Sequence, residues 1–283
     1  MISNSKIFFI NYRLREITPK FIINLIPRVI RKKYVKKIFK YYFLPTNLKT
    51  LPDINYYSDY EKFGNEDYQK ELIHKFNDTK KIDTNTTSPH LTQLLLMKFN
   101  SEEDLNFLDF GGENISLYLE LNKHFKKIKY YVINLKSINQ MFEKIKHQYN
   151  FNNLHIINDL EEVFNHQFDF VNFGSVIQYV ENYEYILNKI TDNSNYIYFS
   201  ATHLYNSSEN NTSKNYLVKQ VVTYPDTPYL YFFNKEKFYE IFFRKKYKLI
   251  FEEKNLTDKV NYDNFKEYLK DIRYCDFLFK KII

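Results

Sequence analysis

The 283-residue chain has few of the residues from which disulfides, metal centres and glycine-rich loops are built. Its single cysteine, Cys275, excludes a disulfide within the chain and a thiol cluster for zinc or iron–sulfur, so a reducing, cytoplasmic setting is expected. No two of the seven histidines have the four-residue spacing of a helix-borne metal site, and we predict no metal. Only four glycines and no tryptophan occur in a chain that is 44% hydrophobic and rich in tyrosine and phenylalanine. Such a chain can bury a core, which excludes wholesale disorder.

Motifs that would identify several enzyme classes are also missing. The sequence has no phosphate-binding loop with Gly-Lys-Ser/Thr, no Gly-x-Ser-x-Gly elbow and no Asp-x-Asp pair. The last absence argues against the commonest metal-dependent glycosyltransferases. The longest early apolar run, residues 7–10, is far shorter than the ~20 residues of a membrane-spanning helix. No signal peptide is predicted, because no small-residue cleavage site follows a hydrophobic stretch.

Positive charge is concentrated near the beginning of the sequence. Residues 1–50 carry twelve lysines and arginines against one acidic residue, Glu16, whereas the remainder has 29 basic and 33 acidic residues. Because the body of the chain is not basic, no nucleic-acid partner is predicted. Residues 18–43 combine apolar positions at the helical period with aromatic and basic residues. Such a helix can lie on an anionic membrane or pack its apolar stripe on the main domain, and both alternatives stay open.

The pattern divides the chain into a basic, helical extension with a connector, residues 1–90, and a main domain, residues 91–283. From residue 91 helical and strand periods alternate. Strands are predicted at 105–110, 129–133, 154–157, 168–173, 196–199, 247–252 and 274–282. Helices are predicted near 66–77, 91–99, from 115, 138–149, 183–190, 238–242 and 262–271, and residues 206–215 form a polar loop. The order predicts an α/β fold, a Rossmann-like, doubly wound, mostly parallel seven-stranded sheet with a terminal antiparallel strand pair. Ligands of such sheets bind outside the carboxyl ends of the strands.

The turn after the first predicted strand of the main domain is the strongest local signal. It reads Leu108-Asp-Phe-Gly-Gly112, and a helix follows from about Ile115. Two consecutive glycines let the backbone approach a ligand closely, and the helix that follows offers free N–H groups. A tight strand-to-helix turn without a ligand has the same pattern, so the turn alone does not decide between the two.

Together with later blocks, this turn resembles a family of class I S-adenosylmethionine (SAM)-dependent methyltransferases associated with bacterial surface-polysaccharide (O-antigen or capsule) biosynthesis. The blocks are Asp109–Gly112, Asp169–Tyr179 with its specific Ser-Val-Ile-Gln-Tyr run, Lys219–Val222 and Pro228–Asn234. The resemblance covers residues 90–283, and residues 14–42 also resemble the family's beginning. It implies SAM as cofactor and methyl transfer to a saccharide or a nucleotide- or lipid-linked glycan precursor.

The resemblance also implies site residues. Those expected to contact the cofactor are Asp109, Phe110, Gly111, Gly112, Glu113, Asn134, Asn158, Asp159, Gly174 and Ser175. Gln178 and Tyr179 are expected to orient the acceptor, and His203, beyond the fifth strand, to take its proton. A lone histidine is also often structural.

Two departures from the family pattern leave a second function open. Asn134 stands where an acidic residue normally holds both ribose hydroxyls, and Ile115 stands near where the third glycine of the turn is expected. The alternative function is therefore a methyltransferase-fold protein that no longer catalyses and acts as a binding or scaffolding component of the glycan assembly machinery. The sequence does not indicate an oligomeric state.

Overall fold

One sheet organises the part of the chain that the structure describes. The structure is a computed structural model and describes residues 41–46, 69–70, 73–74, 89–112, 115–206, 215–221, 228–255, 260–267 and 269–282. The strands of these residues are β1 Phe43–Pro45, β2 Asp104–Phe110, β3 Lys127–Ile133, β4 Leu154–Ile157, β5 Phe168–Gly174, β6 Ser194–Asn206, β7 Asn215–Gln220, β8 Tyr229–Asn234, β9 Tyr247–Lys254 and β10 Lys270–Lys281. The helices are α1 Pro89–Lys98, α2 Ser116–His124, α3 Lys136–Tyr149, α4 Leu160–Phe164, α5 Tyr183–Asp192 and α6 Lys235–Arg244.

The central strands follow a doubly wound order. β2 to β6 are parallel and lie side by side as β4-β3-β2-β5-β6. The chain therefore proceeds outward from β2 in one direction and from β5 in the other. The carboxyl ends of β2 and β5 meet at this reversal, which is where open α/β sheets bind their ligands. Beyond β6, β10 is antiparallel to β6 and β9 is antiparallel to β10, so the predicted terminal antiparallel pair is confirmed.

Alternation along the strands divides the core between the two faces of the sheet. In β2, Phe107 belongs to the cluster with α1, α2 and α3, whereas Leu108 belongs to the cluster with α4, α5 and α6. In β5, Phe170 and Phe173 divide in the same way. Apolar side chains on both faces are typical of parallel strands covered by helices on both sides. Asp109 lies on the same side of β2 as Phe107, so this buried carboxylate faces the layer of α1 to α3.

β6 continues past the carboxyl end of β5 and carries three further strands. Gly174, the last residue of β5, pairs with Ser200, whereas β6 runs on to Asn206. The extension pairs with β8, β8 pairs with β7, and β7 pairs with β1; we call these three the cap strands. The register between β6 and β10 shifts opposite Asp276, and Ala201 has a φ of 52° there. This bulge bends β6 and places the cap strands beyond the end of β5.

The seven strands and most helices predicted from the sequence are present, and the differences lie around the cap strands. β1, β7 and β8 were not among the predicted strands. The helix expected at 262–271 is wrong, because the structure has one 3₁₀ turn, Asp263–Phe265, and β10 already begins at Lys270. Two apolar residues within the range expected to be helical, Phe265 and Leu269, pack against the cap strands. Residues 69–70 and 73–74 are helical, within the helix predicted near 66–77.

Most of the basic extension lies outside the described residues. Of the helix predicted at 18–43, the structure describes only Tyr41, Tyr42 and Phe43, and these are not helical. Val221 N donates to Tyr42 O at 2.8 Å, and Phe43 begins β1. This end of the predicted extension is therefore part of the main sheet. The remaining residues of that helix, and most of the predicted loop 206–215, lie outside the described ranges. None of the described helices is long and apolar enough to cross a membrane.

Candidate functional site

The turn after β2 contacts the turn after β5. Gly111 has a φ of +76°, a left-handed conformation that favours glycine, and its N–H donates to Ile133 O at 2.8 Å. A Cβ on Gly111 would overlap Val176 Cγ2 and lie 2.8 Å from Val176 Cβ. Glycine is therefore required here both by the backbone conformation and by the close approach of the two turns. The contact lies at the reversal point of the sheet.

Asp109 is held beneath this turn by two buried hydrogen bonds. Tyr130 Oη donates to Oδ2 at 2.6 Å, and Asn172 Nδ2 donates to Oδ1 at 2.8 Å. Burial, together with the neighbouring carboxylate, raises the pKa of Tyr130 well above its usual value, so the phenol keeps the proton that it donates. A Cβ on Gly112 would overlap Asp109 Oδ2 and lie 2.6 Å from Cγ. The carboxyl group of Asp109 therefore lies directly against the backbone of the turn.

The helix that follows the turn begins after an apolar N-cap residue. Its N-cap residue, Ile115, makes no side-chain cap hydrogen bond, and the first turn of α2 contains no acidic residue. The N-terminal N–H groups of such a helix, together with the helix dipole, attract an anionic group. The predicted helix start at Ile115 is confirmed. Glu113, which the sequence predicted as a cofactor contact, lies outside the described residues.

Asn134 follows β3 and is hydrogen-bonded to the turn. Its Nδ2 donates to Gly112 O at 2.6 Å, and its Oδ1 accepts from Leu135 N at 2.7 Å. Its own backbone N–H donates to Asn139 Oδ1 at 3.1 Å. Asn139 is buried, and its Nδ2 donates to Ile157 O at 2.8 Å and to Asn158 Oδ1 at 3.0 Å. These amides link the carboxyl ends of β2, β3 and β4, and we call them the amide chain.

Asp159 has a local structural partner. It is the N-cap of α4, and its Oδ1 accepts from Glu161 N at 3.0 Å. Both Asn158 and Asp159 are exposed at the end of β4. The cofactor contacts predicted for these two residues stay predictions, and the capping bond gives Asp159 a role that needs no ligand.

The turn after β5 contains the second group of predicted residues. Ser175 has a φ of 57°, an unusual conformation for a residue with a side chain, and its N–H donates to Phe173 O and Ser200 O at 3.0 Å each. Gln178 is 1% exposed, and its Nε2 donates to Ser175 O at 3.1 Å and to Ala201 O at 3.3 Å. Its Oε1 is buried without a hydrogen-bond partner in the described part of the chain. Backbone strain and an unpartnered buried acceptor are common at ligand sites.

Tyr179 connects this turn to the cap strands. Its Oη donates to Gln220 Oε1 at 2.8 Å, and its ring packs against the apolar cluster beneath the cap strands. Residues 175–179, the run that carries the resemblance most specifically, therefore contact β6 and β7 as well as the turn after β2. Gln178 and Tyr179 follow the carboxyl end of β5, and the acceptor-orienting role expected of them stays a prediction.

His203 lies within β6, whereas the sequence predicted it beyond that strand. Its ring is 4% exposed and lies 4.5 Å from the ring centroids of both Phe232 and Tyr274, with Phe43 at 4.8 Å. Neither ring nitrogen has a hydrogen-bond partner among the described residues. Burial lowers the pKa of His203 to about 3, so the ring is neutral at physiological pH. The predicted role of proton acceptor stays a prediction, and this environment does not favour it.

The structure brings most of the predicted site residues to one edge of the sheet. Those at the carboxyl ends of β2 to β5 are Asp109, Phe110, Gly111, Gly112, Asn134, Asn158, Asp159, Gly174, Ser175, Gln178 and Tyr179. Three residues of the site were not predicted from the sequence. Tyr130 and Asn172 donate hydrogen bonds to Asp109, and Asn139 belongs to the amide chain. Asn172 could have been found as a polar residue within the apolar pattern of β5.

A groove lies elsewhere on the sheet. It has a volume of about 510 Å³ and lies between α1 and the edge strand β9, with His90, Leu94, Met97 and Phe251 in its lining. β6 and β10 separate it from β5. We therefore do not include this groove in the candidate site. Among the described residues, no group of three or more His, Cys, Asp or Glu side chains could hold a metal ion.

Solved structures share this arrangement of strands and helices. The N-terminal domain of EvdMO1, determined in the presence of S-adenosylhomocysteine (SAH) and D-fucose, matches with a TM-score of 0.50 at 13% identity, covering 71% of this chain and 85% of that chain. The 1,6-didemethyltoxoflavin-N1-methyltransferase of Burkholderia thailandensis, with bound 1,6-didemethyltoxoflavin and SAH, matches with a TM-score of 0.51 at 10% identity, covering 85% and 95%. This chain has a class I methyltransferase fold. No family model and no curated protein matches the sequence.

The methyltransferase fold confirms the fold class expected from the sequence. The carboxyl ends of β2 to β5 form the ligand-binding edge of this fold. The cap strands stand over the same edge, because they pair with the extension of β6 beyond β5. The candidate site therefore has the turn after β2 on one side, the turn after β5 on the other, and the cap strands above the latter.

Proposed function

We propose that this protein is a SAM-dependent methyltransferase. The observation that carries the proposal is the turn after β2, where Gly111 is left-handed and Gly112 lies against the buried carboxylate of Asp109. A turn without side chains lets a ligand reach the backbone, and the N–H groups at the start of α2 suit the carboxylate of a methionine group. The Asp109 carboxylate beneath the turn suits the positively charged ammonium group of the same methionine. These residues fit the methionine end of SAM, and bound SAM would supply an electrophilic methyl group.

The residues beyond β5 are proposed to position the methyl acceptor. Gln178 offers a buried Oε1 without a partner among the described residues, and Tyr179 connects the turn to the cap strands through Gln220. Holding the acceptor and the methyl group in register can supply a large part of the acceleration of such a displacement. A buried His203 with a pKa near 3 is a weak base at neutral pH. We therefore assign the chemistry to positioning rather than to proton removal by this ring.

The proposed acceptor is a saccharide or a nucleotide- or lipid-linked precursor of a surface glycan. The resemblance of residues 109–112, 169–179, 219–222 and 228–234 to methyltransferases of surface-polysaccharide biosynthesis supports this assignment. One structure with the same fold was determined with D-fucose present, and D-fucose is a saccharide, as is one of the proposed acceptors. We place the protein in the cytoplasm, with residues 18–40 in peripheral contact with an anionic membrane because of their basic and aromatic residues. Tyr42 and Phe43, at the end of the predicted segment, pair with the main sheet instead.

Isothermal titration calorimetry with SAM and SAH tests the proposal. The wild-type protein should bind both ligands, and Gly112→Ala should bind them at least about tenfold more weakly, because the new Cβ would displace the Asp109 carboxylate. Met97→Ala, at an exposed position of α1, is the control and should bind like the wild type. Urea unfolding of each variant separates loss of binding from loss of folding.

A second candidate function is a catalytically inactive member of the same fold that binds or scaffolds partners in glycan assembly. Asn134 favours it, because an amide replaces the charged group expected to bind ribose. Absence of heat from both SAM and SAH with a folded wild-type protein would overturn the methyltransferase proposal and favour this alternative.

A further inference from the structure

The carboxyl end of β3 lacks the acidic residue that binds a ribose in many nucleotide-binding sheets. That residue would hydrogen-bond the ribose hydroxyls from the end of the second strand of the doubly wound order. The sequence from 127 to 142, which spans β3 and the first half of α3, contains no aspartate or glutamate. Asn134 occupies the position, so any recognition of ribose from this strand depends on a neutral amide.

The hydrogen bonds of Asn134 leave half of its side-chain capacity for a ribose. An asparagine amide has two N–H donors and an oxygen with two lone pairs. One donor binds Gly112 O at 2.6 Å, and one lone pair accepts Leu135 N at 2.7 Å. One N–H donor and one lone pair remain, so the side chain can make at most two hydrogen bonds to a ribose, and both are neutral. A carboxylate at the same position could accept from both hydroxyls, and each bond would be charge-assisted.

Asn139 fixes the backbone at Asn134, and the bonds to Gly112 O and Leu135 N orient its side chain. Asn139 is 1% exposed and accepts from the backbone N–H of Asn134, while its own Nδ2 donates to Ile157 O and Asn158 Oδ1. Turning Asn134 toward a ribose would break the bond to Gly112 O and leave that carbonyl without this donor. The geometry therefore uses Asn134 to orient the turn that contacts the methionine end of a cofactor.

We propose that Asn134 is a positioning residue for the Gly111-Gly112 turn, and that the site binds its cofactor with little contribution from the ribose hydroxyls. This inference rests on the proposed function. Its consequence is a specificity that differs from that of a site with an acidic residue: analogues lacking a ribose hydroxyl remain good ligands.

The first experiment compares SAH with its 2′-deoxy and 3′-deoxy analogues by calorimetry on the wild-type protein. Each analogue should bind within about tenfold of SAH, because only neutral hydrogen bonds to one hydroxyl are lost. A loss of more than tenfold for either analogue would overturn the inference while leaving the proposed function intact. If SAH itself does not bind, both the proposed function and this inference fail.

The second experiment changes the amide itself. Asn134→Asp should weaken SAH binding at least about tenfold, because it removes the donor to Gly112 O and sets a carboxylate oxygen against that carbonyl. Gln140→Glu is the matched control: it makes the same change of amide to carboxylate at an exposed position of α3, and its SAH affinity should stay within about threefold of wild type. Tighter binding by Asn134→Asp would show that a ribose takes the carboxylate and would overturn the inference. The analogue comparison needs no variant, so it decides the question even if Asn134→Asp does not fold.

Discussion

Substitution of Gly111 by alanine should destabilise the protein through two separable effects. The left-handed conformation, at a φ of +76°, disfavours a residue with a Cβ by about 1–2 kcal/mol. Overlap of the new Cβ with Val176 adds an overpacking term of about 1–3 kcal/mol. Gly111→Ala should therefore lower the free energy of unfolding by about 2–5 kcal/mol, measured from urea unfolding curves followed by circular dichroism.

A double-mutant cycle with Val176→Ala separates the two effects. Val176→Ala removes the two γ carbons that the new Cβ at position 111 would meet. Because Val176 Cβ remains and would lie 2.8 Å from the new Cβ, the overlap should be relieved only in part. We expect the double variant to be about 1 kcal/mol more stable than the sum of the single changes predicts, while the conformational term persists. Additive effects within about 0.3–0.5 kcal/mol would show that the two turns do not press on each other, and would refute the reasoning.

Two further predictions concern the buried imidazole and the basic extension. Because burial lowers the pKa of His203 to about 3, the unfolded chain binds a proton below its ordinary value of 6.5 while the folded protein does not. The free energy of unfolding of the wild type should fall relative to that of His203→Phe by about 1.4 kcal/mol per pH unit as the pH is lowered from 6.5 to 4. If the urea midpoints of the two proteins differ by the same amount at pH 8 and at pH 5, this prediction is wrong. Separately, the full chain should sediment with anionic vesicles at low salt, whereas a chain that begins at residue 41, which keeps β1, should stay in solution. Equal sedimentation of the two proteins would remove the membrane assignment.

Periodicity predicted the central sheet because its strands are covered by helices on both faces. Such strands are short, nearly continuous apolar runs, as in residues 168–173, and the turns between them contain few apolar residues. The helices α3, α5 and α6 have a clear apolar side, so their positions were also predictable. Consequently the sequence predicts that the residues following these strands lie at one edge of the sheet.

The cap strands and the environment of His203 could not be predicted in the same way. β1 has only three residues, and its pairing with β7 joins segments that are more than 170 residues apart in sequence. The apolar run of β6 is interrupted by Ser200 and Ala201, which form the bulge, so the strand seemed to end at residue 199. The roles of Asn134 and Asp109 also depend on partners contributed by other strands, which a local pattern does not reveal.

The pairing of β1 has a consequence for local unfolding. β1 is the shortest strand of the described sheet and lies at one end of its strand order, so its release breaks few hydrogen bonds. Release would also remove Phe43 from the rings of His203 and Phe232. Amide hydrogens of the β1–β7 pair, such as that of Val221, should therefore exchange with solvent faster than those of β2 or β5. Release of β1 would give solvent and small molecules access to the imidazole without unfolding the central strands.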